Sequence, residues 1–170
     1  VCRGSLWGNC FWGLWNAAAA GFCMKKNCSC CLKKIRKESL EGMDMEKYIP
    51  LLKDLMAIRS VSADPAMNNR VTETLYTFFK ENSTLHCTVE EFQGRKILYA
   101  STIPGKNPDL MLNAHLDVVP AEEETWKIRV EEDWVYGRGS VDCKGNAVAI
   151  VKALCEMEEG VSAGAFFTVD

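Results

Sequence analysis

The chain has 170 residues, of which 48% are apolar and 25% charged, with a formal net charge of -3. That balance excludes a disordered chain, and the charge gives no basis for binding nucleic acid or an anionic membrane surface. Six of the nine cysteines (Cys2, Cys10, Cys23, Cys28, Cys30, Cys31) crowd into the first 31 residues, and Cys87, Cys143 and Cys155 are scattered. Such an odd, uneven set argues against a secreted disulfide scaffold, so a cytoplasmic setting is expected.

Residues 1–42 read differently from the rest. They are rich in Cys, Trp, Gly and Ala and turn basic at "KKIRK", residues 33–37. No charge occurs between Arg3 and Lys25, a window long enough for a bilayer at roughly 20 residues. Gly4, Gly8, Gly13, Gly21, Asn9 and Asn16 dilute it, so an unstructured leader or mistranslated upstream segment is expected rather than an anchor. Were it inserted, the basic flank would stay cytoplasmic. The Cys28-Ser29-Cys30-Cys31 cluster has no usual zinc spacing. Residues 1–42 are therefore set apart from residues 43–170, which open at Met43.

From there the pattern is regular. "MEKYIPLLKDLMAIRSVS" has apolar residues at 48, 49, 51, 52, 55, 56 and 58, the spacing of an amphipathic helix, with Pro50 tolerable only near its start. "VTETLYTFFKEN", residues 71–82, repeats that spacing. "CTVEEFQ" and "KILYAS" alternate around Gly94-Arg95 and read as a hairpin. "DLMLNA", residues 109–114, is a nearly continuous apolar run that suits a central strand buried on both faces. "RVEEDWVYGRG" reads as a second hairpin, turning near Glu132-Asp133. "GNAVAIVKALCEMEEG", residues 145–160, reads as a helix stopped by Gly160. "GAFFTVD" is a last strand. The order implies an α/β layer with strands 110–114 and 165–169 in parallel. Sites in such sheets form beyond the carboxyl ends of the strands, where His115 and Asp170 stand.

His115 and Asp117 form a His-x-Asp at that strand end. Side chains repeat with period two along an extended segment, so the two share a side. Imidazole is a common zinc ligand that gives its other N–H to a carboxylate or carbonyl. A strand-end His beside a solvated Asp would look the same in sequence. "VYGRGSVDCKGNAVAIV", residues 135–151, places Gly137, Gly139 and Gly145 around Asp142, just before a helix. There Asp142 is either an N-terminal cap or a ligand facing His115.

"HLDVVPA", then Trp126, then "VYGRGSVDCKG" together resemble the zinc aminoacylase, acetylornithine deacetylase, succinyl-diaminopimelate desuccinylase and carboxypeptidase-like metallopeptidases. The resemblance covers roughly residues 43–170. It implies a mixed α/β sheet with helices on both faces, of the zinc-exopeptidase type, lacking its C-terminal half and its dimerisation domain. It implies His115 as a zinc ligand, Asp117 as the catalytic-site residue that orients it, and Asp142 as the carboxylate bridging two zincs, with Co2+ or Mn2+ as substitutes. The implied chemistry is metal-assisted hydrolysis of N-acyl amino acids or short peptides with a free carboxylate, by a complete protein that forms a homodimer.

The chain also departs from that pattern. Lys127-Ile128-Arg129 follow the Trp where Pro-Phe is usual, and Cys143 stands where a second Asp is common, as an inert small residue or an oxidation-sensitive neighbour of zinc. The Glu-Glu pair that supplies base and ligand in the family is not reached before Asp170, and the later Asp and His ligands are absent. Glu122, Glu123 and Glu124 read as a solvated run, Glu156, Glu158 and Glu159 lie at the far helix end, and His86 reads as a surface residue. An inactive fragment or interaction module is thus the alternative to a working hydrolase.

Overall fold

A computed structural model describes residues 47–131 and 134–169. The expectations for residues 1–42, for the turn at Glu132-Asp133 and for Asp170 lie outside the described residues. Helix α1 is Tyr48–Ala57, with Pro50 in its first turn and Tyr48, Leu51, Leu52, Leu55 and Met56 buried along one stripe. Helix α2 is Pro65–Asn82 and starts ahead of the expected Val71. Asp64 caps it, accepting from the amides of Ala66 and Met67 at 3.1 Å each. Asp before Pro is an ordinary start signal, hidden because the apolar period begins only at Val71.

Strands β1 (His86–Phe92) and β2 (Arg95–Ser101) form the expected hairpin. Its turn is Gln93-Gly94, with φ of 52° and 77°, the left-handed pair that a two-residue hairpin loop needs. Strand β3 is Leu110–His115 and leads, through a 3-10 turn at Glu123–Trp126, to a small hairpin of β4 (Arg129–Glu131) and β5 (Trp134–Tyr136). Helix α3 is Lys144–Cys155 and β6 is Ala163–Thr168. Helix α3 ends well before Gly160: Glu156 donates its amide to Lys152 O at 3.0 Å, and Met157 packs on the core from the turn beyond. The apolar period had already closed at Leu154, so the acidic letters that follow do not extend the helix.

The main sheet has the order β1-β2-β6-β3, with β3 and β6 parallel and the other pairs antiparallel. The mixed α/β sheet is as expected. The three described helices pack with one face of it, where Leu98, Ala100, Ala114, Ala165 and Phe167 join their stripes in a single core. The rings of Phe79 and Phe167 lie 5.8 Å apart across that junction. Each fully buried Leu, Val or Phe there contributes about 1.5–3 kcal/mol. Strand β3 departs from the reading of a central strand: among the described residues it pairs only with β6, and Met111 is 39% exposed. Leu110, Leu112 and Ala114 turn to the core while Met111 and Asn113 do not, a period-two division that a continuous apolar run conceals.

The parallel register sets His115 opposite Thr168, so both strands finish together. The chain then keeps its pairing for three more residues. Leu116 donates to Thr168 O at 2.8 Å, Val118 to Ser60 O at 2.8 Å, and Ser62 to Val118 O at 3.2 Å. The exit of α1 is thereby laid alongside the exit of β3.

Candidate metal centre

At this end of the sheet a cavity of about 510 Å³ is lined by, among others, Ser62, His115, Asp117, Arg138, Asp142 and Cys143. All three residues singled out in the sequence meet there. His115 sits on the last position of β3, with Nδ1 3.0 Å from the backbone oxygen of Asp117 and Nε2 3.1 Å from Asp142 Oδ1. A carbonyl only accepts, so Nδ1 carries the proton and donates it. In the tautomer with that proton alone, Nε2 is an acceptor facing the carboxylate, another acceptor.

Two acceptors at 3.1 Å are stable only with a positive centre between them, a proton or a cation. Ligand atoms around a tetrahedral zinc, at bonds of ~2.0–2.1 Å, stand roughly 3.3 Å apart. The residues present therefore fit a divalent ion. Cys143 Sγ completes a group of three donors, all within 4.8 Å of one another.

Asp117 is 4% exposed. Its Oδ2 accepts from Ser62 Oγ at 2.5 Å, while Oδ1 stands 3.4 Å from His115 Nδ1 and has no hydrogen bond. Asp117 thus orients the ring chiefly through its backbone oxygen, with its carboxylate charge close behind. Asp142 is the opposite case, its side chain 86% exposed. It does not cap α3, whose N-cap is Cys143 with no side-chain cap bond. The Asp142–Cys143 peptide is cis.

The loop carrying Asp142 needs its glycines. Gly137 has φ of 144° and a Cβ there would come 2.8 Å from Met56 Cε. Gly139 has φ of 85° and lies against Val118 and Lys144, so the loop passes close to the β3 exit. Lys144, fully buried, donates from Nζ to the carbonyls of Leu55 and Ile58, at 2.8 Å each, at the C-terminal end of α1. A cation there complements the helix dipole and satisfies carbonyls that the helix leaves unpaired. Burial pushes its pKa down to about 8, with the charge of Asp117 acting in the opposite direction. Arg138 donates its amide to Thr125 O at 2.8 Å, and its buried Nε has no hydrogen-bond partner.

Ser62, Arg138 and Lys144 were given no role from sequence, although Arg138 and Lys144 lie inside the quoted motif. Trp126 holds the intervening loop: its Nε1 donates to Ala121 O at 3.2 Å and Arg59 stacks 5.2 Å above its ring. Glu123 makes a paired contact with Arg59 at 2.7 Å, and Glu124 pairs with Lys127 at 2.6 Å. The acidic run is exposed as expected, with Glu123 and Glu124 paired. His86 is exposed at the start of β1. No helix of the described residues is long and apolar enough to cross a membrane.

Residues 111–165 match the model of peptidase family M20/M25/M40. The N-fatty-acyl-amino acid synthase/hydrolase of Mus musculus is 30% identical over 126 residues, 69% of this chain and 24% of that protein. Aminoacylase-1 of Homo sapiens is 29% identical over 118 residues, 62% of this chain and 28% of that protein. Among solved structures, an M20 family metallo-carboxypeptidase from Sulfolobus solfataricus superposes with a TM-score of 0.62 at 20% identity, covering 75% of this chain and 31% of that one. The chain spans about a quarter of the length of these curated relatives. Residues 111–165 thus match peptidase family M20/M25/M40 in sequence, and three quarters of the chain is similar in fold to an M20 family metallo-carboxypeptidase.

Proposed function

We propose that this chain carries the His115–Asp142 share of a divalent-metal site in a hydrolase acting on amide or peptide bonds. N-acyl amino acids or short peptides with a free carboxylate are its substrate class. The observation that carries the reading is the approach of His115 Nε2 to Asp142 Oδ1 at 3.1 Å. His115 and Asp142 hold the ion, and Asp117 fixes the ring so that the Nε2 lone pair points outward. When bound, a zinc ion, or cobalt or manganese in its place, supplies Lewis acidity that polarises a carbonyl and activates water. Arg138, on the cavity wall, adds a positive side chain to meet a substrate carboxylate. The relatives' names, an N-fatty-acyl-amino acid synthase/hydrolase, an aminoacylase and a metallo-carboxypeptidase, fit this substrate class.

A second reading rests on the donor set. Among the described residues, the group able to hold a metal has three members, His115, Asp142 and Cys143. A two-metal hydrolase needs more ligands and a base. The chain would then bind metal without turnover. Zinc titration of the 170-residue chain, with the six N-terminal cysteines changed to serine, tests both. Tight binding lost in His115→Ala is expected, and binding unaffected by that change would sink the site. Hydrolysis of N-acetyl amino acids that disappears in His115→Ala marks a working enzyme. Binding without hydrolysis marks the second reading.

A further inference from the structure

We propose that Ser62 is a positioning residue of this site: its hydroxyl turns the Asp117 carboxylate towards His115, which keeps the ring proton on Nδ1 and leaves the Nε2 lone pair for the metal. The inference rests on the reading just given and adds to it a residue that acts through another. Ser62 Oγ donates to Asp117 Oδ2 at 2.5 Å, the length of a hydroxyl bond to a charged carboxylate. The torsion that turns a carboxylate about its last carbon–carbon bond is broad, so the hydroxyl selects its plane. With Oδ2 held, Oδ1 stands 3.4 Å from His115 Nδ1, at the edge of the ring away from Asp142. A negative charge beside Nδ1 favours the tautomer that carries its proton there.

Ser62 does not need its hydroxyl to hold its own place. Its amide donates to Val118 O at 3.2 Å, and its carbonyl accepts from Asn68 Nδ2 at 3.2 Å and from Arg95 Nη1 at 3.1 Å. Helix α2, strand β2 and the exit of β3 thus fix the backbone of Ser62 from three sides. Ser60, two residues earlier, is the contrast. Its hydroxyl donates to the backbone oxygen of Leu116 at 2.8 Å and ties the same two segments together. Both serines reach the β3 exit, but the Ser62 hydroxyl ends on a carboxylate. That carboxylate belongs to a residue only 4% exposed, so removing the hydroxyl leaves a buried acceptor unsatisfied.

The test reads the His115 tautomer by NMR of the ring nitrogens, in the metal-free 170-residue chain with the six N-terminal cysteines changed to serine, at a pH where the ring is neutral. The other histidine, His86, is exposed at the start of β1 and pairs with Ser101, so its signals report whether the sheet is intact. The unaltered chain is expected to carry the His115 proton on Nδ1. Ser62→Ala shifts it towards Nε2 and weakens zinc affinity by about tenfold, the lower end of what such supporting changes cost, with the His86 signals unmoved. Ser62→Thr, which keeps the hydroxyl, restores both. In an Asp117→Asn chain, Ser62→Ala has no further effect, because the charge that the hydroxyl directs is gone. An unchanged tautomer in Ser62→Ala, or the same loss in the Asp117→Asn chain, overturns the inference and leaves the His115–Asp142 reading intact. Disruption of the His86 signals by Ser62→Ala overturns it too, by making the role structural. The tautomer shift in a chain that binds no zinc overturns the metal reading and leaves the link from Ser62 to His115 standing.

Discussion

Segment 115–118 and loop 137–143 converge on one imidazole, but they are built by opposite means. The first is an extension of a parallel strand. Its backbone is paired to Thr168 on one side and to Ser60 and Ser62 on the other, and its carboxylate, Asp117, is buried. The second is a glycine-turned loop whose carboxylate, Asp142, stands in solvent and which is held by the Arg138 amide on Thr125 and by the side chain of Lys144, the next residue but one after Asp142. One half of the site is fixed by its own backbone, the other chiefly by a buried side chain behind it. The buried carboxylate sits behind a ring that its own backbone oxygen orients, and the exposed one faces the cavity.

The largest effect expected from this contrast is at Lys144. Lys144→Met keeps the bulk but leaves the carbonyls of Leu55 and Ile58 without a donor, at a cost of about 2–3 kcal/mol. A urea denaturation midpoint close to that of the unaltered chain would show that the loop is not held this way. The next effect separates the two carboxylates. Asp117→Ala strands the Ser62 hydroxyl and should destabilise by about 1–3 kcal/mol. Asp142→Ala should change stability by less than about 0.5 kcal/mol while abolishing tight zinc binding. Equal destabilisation by the two variants in thermal melts would erase the distinction.

The smallest effect concerns the thiols on the core side. Burial pushes the Cys87 thiol up to about 11, and burial likewise raises Cys155. Their folded pKa values lie above the unfolded ones, so the folded state holds protons that the unfolded state releases. The associated stability is complete below the ordinary thiol range and is lost as pH rises towards about 11. Native Cys87 should alkylate about 100-fold more slowly at pH 8 than in the urea-unfolded chain. Peptide mapping after timed iodoacetamide labelling reads this, and equal rates would place Cys87 in solvent.

The strand-end half was the more legible in sequence. His115 follows directly from an apolar run that stops, and Asp117 follows from period two. The parallel pairing of 110–114 with 165–169 came from element order alone, and the observed strands are 110–115 and 163–168. The loop half was legible only as a motif. Spacing marked Asp142, but it left cap and ligand open, and only its 3.1 Å approach to His115 favours the second. Ser62 and Lys144 were invisible as site-supporting residues. Their partners lie 55 and 89 residues away along the chain, and a lysine in sequence reads as surface. The exposure of Met111 was hidden because an apolar letter does not say which side of an edge strand it takes.

The end of α1 does more than close a helix. Leu55 and Ile58 hold Lys144, and four residues past Ile58 the hydroxyl of Ser62 holds Asp117. Both halves of the site are thus referenced to one short stretch of chain, as two jaws are to one frame. The spacing between His115 and Asp142 is therefore a property of how α1 is seated, and substitutions on its buried stripe at Leu51 or Leu55 should shift metal selectivity without touching a donor atom.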